Sequence, residues 1–110
     1  MDILTVADAA PYDPDRVVAT PFADGTHGNV RVIRLSPGQA LPPHTHGASD
    51  LFLYAVEGTG TMTGSDGSEA ALAAGSLAQL AGEEELRIRN DGTSGLTLLA
   101  FLAPVFPPQR

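Results

Sequence analysis

An all-β domain, a sandwich or barrel of about ten short strands, is the fold class this sequence predicts. Three observations predict it. Extended segments recur at intervals of about 8–12 residues between turn signals. The 12 glycines and 9 prolines are spread along the chain, which marks many tight turns and not low complexity. No stretch reads as a stable helix. The Ala-rich segment SEAALAAG has helical propensity, but seven residues between Gly67 and Gly75 are too few to hold a helix alone. The chain has 110 residues, enough for one domain with one core.

The elements follow in order. Ile3 to Val6 is a short apolar run, expected to form an N-terminal strand at an edge or in a dimer contact. Residues 7–16 carry Pro11 and Pro14 and should be irregular. Val17 to Ala19 is extended, and 21–28 (PFADGTHG) is turn-rich. Asn29 to Leu35 alternates: Val30, Val32 and Arg34 share one face, and Arg31, Ile33 and Leu35 the other. Ser36-Pro37-Gly38 turns the chain. Pro42 and Pro43 hold Leu41 to His46 extended. Leu51 to Val56 is apolar on both faces, which predicts a strand covered on both sides.

Glu57-Gly58 leads into Thr59 to Thr63. Gly64-Ser65-Asp66-Gly67 is a hairpin signal, because Asp-Gly supplies the backbone angles that such loops need. Glu69 to Leu72 and Leu77 to Leu80 are short strands. Leu86 to Asn90 alternates, with Leu86, Ile88 and Asn90 on one face and Arg87 and Arg89 facing solvent. Asp91 to Gly95 is another hairpin loop, Leu96 to Phe101 a last apolar strand, and 103–110 a Pro-rich tail. Three parts of one domain result: a strand and turn-rich arm over 1–28, a barrel over 29–104, and a tail over 105–110.

Charge and composition narrow the function. The net charge is −7, with six arginines and no lysine, so the surface repels phosphate backbones and nucleic acid is not an expected partner. No basic amphipathic or long apolar run points to a membrane. The start MDILTVADAA lacks a signal-like pattern, and a cytoplasmic location is the expectation. Without cysteine there are no disulfides and no thiolate ligands.

His44-Thr45-His46 is where the chemistry concentrates. Residues two apart on an extended segment point to one side of a sheet, so two imidazoles stand side by side. Imidazole suits Fe, Ni, Cu or Zn, and two histidines with one carboxylate form a known non-haem iron arrangement. Imidazole also titrates near neutrality, so the pair can move protons without a metal.

Gly38, five residues, His44-Thr45-His46 and then Gly58 resemble the first motif of the cupins, small jelly-roll or double-stranded β-helix barrels. Gly75, Ala81-Gly82 and Asn90 echo the second motif. The resemblance spans about residues 29–104 and implies that fold. It also implies a divalent transition metal (Fe, Ni, Zn or Mn) held by two His and a Glu from the first motif and one His from the second. Here the Glu position falls on Leu51 or, by a shorter count, Asp50. The second-motif His position is Leu86. His27, the remaining histidine, lies outside both motifs.

The expected site is therefore His44 and His46 as catalytic residues, with Asp50 as the third member of a metal set. Arg34, Tyr54, Leu51, Gln79 and Leu86 are the candidate substrate-binding residues. An Arg34 turned to the cavity would pair with a substrate carboxylate, although an exposed arginine is the simpler reading; Gln79 would line the pocket or, equally, sit at an exposed edge, and Tyr54 reads first as core. Apolar Leu51 and Leu86 favour an oily chamber for a small organic molecule. The leading expectation is an isomerase, cyclase or dehydratase. The alternatives are a metal-dependent oxygenase and a non-catalytic binding protein. A homodimer is expected to cover Ile3 to Val6 and the apolar tail Val105-Phe106.

Overall fold

The computed structural model describes residues 1–108. They hold nine strands and one short 3-10 turn, Val6–Asp8. The strands are β1 Val18–Asp24, β2 Asn29–Leu35, β3 Ala40–His44, β4 Asp50–Glu57, β5 Thr59–Thr63, β6 Glu69–Ala73, β7 Leu77–Leu80, β8 Leu86–Arg89 and β9 Leu96–Ala103. The Ala-rich segment is strand β6, paired with β5 across the Asp66-Gly67 turn. No helix among the described residues is long and apolar enough to cross a membrane.

Two antiparallel sheets face each other. The larger runs β1-β2-β9-β4-β7 and the smaller β3-β8-β5-β6. Strand alternation decides what lies between them. Ile33 and Leu35 of β2, Leu51, Leu53 and Ala55 of β4, and Leu96, Leu98, Ala100 and Leu102 of β9 point inward and are buried. Leu41 of β3 and Leu86 and Ile88 of β8 meet them from the smaller sheet. Fully burying one such leucine is worth about 1.5–3 kcal/mol. Asn90 closes the end of the core, its amide donating to the carbonyls of Leu35 and Ser94.

Several expectations are corrected here. Ile3 and Leu4 form no strand and are exposed; the arm instead makes its 3-10 turn and lies on the outer face of the larger sheet. There the Arg34 guanidinium donates to the carbonyls of Val6 and Ala10. Pro21 and Phe22 belong to strand β1, not to a turn. An edge strand tolerates a proline, and the register shifts between Pro21 and Ala23. Strand β4 is covered on one face only, because Tyr54 on its other face is 37% exposed.

The tail folds back on its own chain. The Asn29 amide donates to the carbonyl of Phe106 at 2.8 Å, and the Phe106 N–H donates to Asn29 Oδ1 at 2.9 Å. Ser49 Oγ donates to the carbonyl of Pro104 at 2.6 Å. Phe106 therefore packs against the core and is not left bare for a partner. Residues 109–110 of the expected tail lie outside the described residues.

Candidate functional site

His44 is the last residue of β3, and His46 follows two residues on. Their ring centroids are 4.5 Å apart at an interplanar angle of 63°. His44 Nδ1 lies 2.9 Å from the carbonyl of Pro42. A carbonyl only accepts, so Nδ1 carries a proton and Nε2 is the atom turned away from that bond. The His46 N–H donates to the carbonyl of Gly82 at 2.7 Å, and the Ser49 N–H donates to the His46 carbonyl. Gly82 sits so close that a Cβ there would collide with the carbonyls of Gly47 and Ser49. The His segment is thus clamped to the loop before β8 by a contact that only glycine allows.

The His46 side chain is buried, and its Nδ1 has no partner among the described residues. Phe106 stands edge-on to it with centroids 5.1 Å apart. Burial pushes the His46 pKa below its ordinary 6.5, and the charges of His44 and Arg31 push the same way. At neutral pH this ring is the uncharged base.

Both histidines, His46 buried and His44 exposed, line a partly open cavity of about 180 Å³. Ile33, Leu41, Leu51, Leu86, Leu102 and Phe106 form most of its wall. Arg31 is the cation in that wall, and its Nη2 donates to the carbonyl of Ala19 at 3.2 Å. The residues predicted for the site divide accordingly. His44, His46, Leu51 and Leu86 come together at the cavity, with His44 paired across from Leu86.

Four others lie elsewhere. Asp50 is exposed on the opposite face of β4 from Leu51, so it cannot join the histidines. Tyr54 shares that outer face. Gln79 is exposed and registers with Phe52 on the outside of the larger sheet. Arg34 points outward into the arm. The sequence reading missed Arg31 and Phe106. Alternation had already set Arg31 beside Ile33 and Leu35; what it lacked was which face of β2 turns inward.

These residues do not fit the metal that the fold family implies. Among the described residues no three His, Cys, Asp or Glu side chains group closely enough to hold an ion. The two positions that would complete the set are leucines in the cavity wall, and a guanidinium shares that wall. Two imidazoles with no carboxylate and a guanidinium in the same wall make a poor seat for a divalent ion.

Two facing antiparallel sheets with a His-x-His pair on the inside define a cupin-type double-stranded β-helix. The chain belongs to that family: the Cupin_2 family model, described as a cupin domain, matches residues 31–102. Solved structures agree. A protein of Thermus thermophilus is 30% identical, with a TM-score of 0.86 over 96% of this chain and 99% of that one. A double-stranded β-helix protein of Klebsiella pneumoniae is 18% identical, with a TM-score of 0.87 over 94% of this chain and 90% of that one. KdgF from Halomonas sp. is 14% identical, with a TM-score of 0.78 over 94% of each chain. The last two likenesses concern the fold alone. No curated protein matches the sequence.

Proposed function

We propose that the barrel binds a small organic molecule and moves a proton on it without a resident metal. One observation carries this reading: buried His46 has an unpartnered Nδ1, lines a cavity, and stands against a second imidazole. A buried polar atom without a partner costs free energy, and a ligand that bonds it recovers that cost. Neutral His46 serves as the general base. His44, oriented through Nδ1 by Pro42, offers Nε2 as the second proton carrier. Taking a proton at one atom and returning it at another is an isomerisation; returning it to a departing hydroxyl is a dehydration.

The test combines metal analysis, ligand binding and turnover. Chelated protein should stay folded and keep its ligand affinity. His46→Gln should lower kcat by about 10²–10⁴-fold with binding retained. Stoichiometric metal lost in a His44→Ala/His46→Ala variant would favour the oxygenase reading. Saturable binding without turnover would leave a binding protein. We also propose a homodimer, in which a second copy covers the open edge of β1 and exposed Ile3 and Leu4. Light scattering of the purified chain reads it directly, and a monomer mass would end it.

A further inference from the structure

Arg31 is the feature of the cavity that the proton-transfer reading leaves without a role. It lies on the inward face of β2 with Ile33 and helps form a wall that is otherwise mostly leucine and phenylalanine. A guanidinium has five N–H donors. Arg31 directs one bond at the Ala19 carbonyl, and among the described residues no carboxylate pairs with it. The chain has 13 acidic residues and none of them lines this cavity. Arg31 is half-buried beside an apolar cavity, and most of its donors are available to an anion bound there.

Size and shape restrict that anion. A cavity of about 150 Å³ lined by Leu, Ile and Phe holds benzene, and this one is about 180 Å³. It therefore takes one ring or a short branched chain. A phosphate would satisfy Arg31 but would leave the leucine wall in contact with nothing apolar.

We infer that the ligand is a small monocarboxylic acid, with its carboxylate on Arg31 and its compact apolar body against Leu41, Leu51, Leu86 and Leu102. This rests on the His44–His46 cavity being the functional site. A planar carboxylate matches the guanidinium fork. A neutral His46 has one N–H to donate to the same ligand.

The experiment titrates benzoate and butyrate, and their neutral counterparts benzamide and butyramide, into the whole chain. Calorimetry gives the affinities, and the NMR resonances of the His46 ring report the place of binding. The acids should bind at least about tenfold more tightly than the amides, the gain expected of a charge-assisted pair. Arg31→Met should erase that preference, and Arg31→Lys should keep part of it. Arg87→Met, on the solvent face of β8, should leave it whole. Amides binding as tightly as acids, or a preference that survives Arg31→Met, would overturn the assignment and leave the barrel site standing. If no probe moves the His46 resonances, the assignment and the site both fall. Should Arg31→Met not fold, the acid and amide comparison in the parent and in Arg31→Lys decides.

Discussion

Arg31 and Arg34 sit three residues apart on β2, on opposite faces of one sheet, and their surroundings differ in kind. Arg34 is 7% exposed and makes three hydrogen bonds. It donates to the carbonyls of Val6 and Ala10 and to Thr97 Oγ1, lies 3.8 Å from Glu57, and is stacked by the Tyr12 ring. Tyr12 closes the network through Thr97 and Glu57. Hydrogen bonding to Tyr12 holds the Glu57 carboxyl below its usual range. Arg31 has a single bond to Ala19 and a cavity beside it. Buried Arg34, with three hydrogen bonds to its own chain, holds the arm to the sheet. Arg31, half-buried with one such bond, leaves most of its donors for the carboxylate proposed above.

Two substitutions test that contrast, and three further predictions sharpen the picture of the cavity. Arg34→Ala should cost about 3 kcal/mol of stability in chemical denaturation, because it strips the arm of its anchor and leaves Thr97 buried without its cation. Arg31→Ala should cost no more than about 0.5 kcal/mol, the usual range for a side chain with few partners. Equal costs would dissolve the contrast.

Leu51→Glu with Leu86→His should raise zinc affinity by on the order of 100-fold or more, since whole ligands are added where even outer partners matter 10–100-fold. Calorimetry checks it, and no gain would mean that these positions do not converge on the histidines.

Asn29→Ala should cost about 1–2 kcal/mol by removing two hydrogen bonds to Phe106. It should also loosen the wall beside His46, seen as a His46 pKa returning toward 6.5 in an NMR titration.

The smallest effect is on pH dependence. His46 binds its proton less readily in the folded chain than in the unfolded one. Stability is therefore full above about pH 6.5 and falls as pH drops from there toward the lower folded value. His46→Gln should flatten that slope in thermal melts.

Much of the fold was legible in the residues. The alternation of 29–35 and 86–90 set the faces of β2 and β8, and Asp66-Gly67 marked the hairpin that kept an Ala-rich segment extended. The misreadings share a cause. Ile3 to Val6 looked like a strand because it is apolar, yet no neighbouring strand offers it a ladder. Phe22 looked like part of a turn because prolines and glycines surround it, yet β2 pairs with Pro21 and Ala23 on either side of it and keeps the segment in the sheet. The site was half legible. His44 and His46 announce themselves by spacing and chemistry. Arg31 and Arg34 look alike in a string of letters, and Phe106 reaches His46 from the far end of the chain.

Local order was written in the linear chain: where it turns, which residues share a side, and that paired imidazoles project together. Folding alone chose which side of β2 faces the chamber and carried the tail back across it. Alternation is a property of one strand. Inside and outside are properties of two sheets, and they exist only once the second sheet has closed over the first.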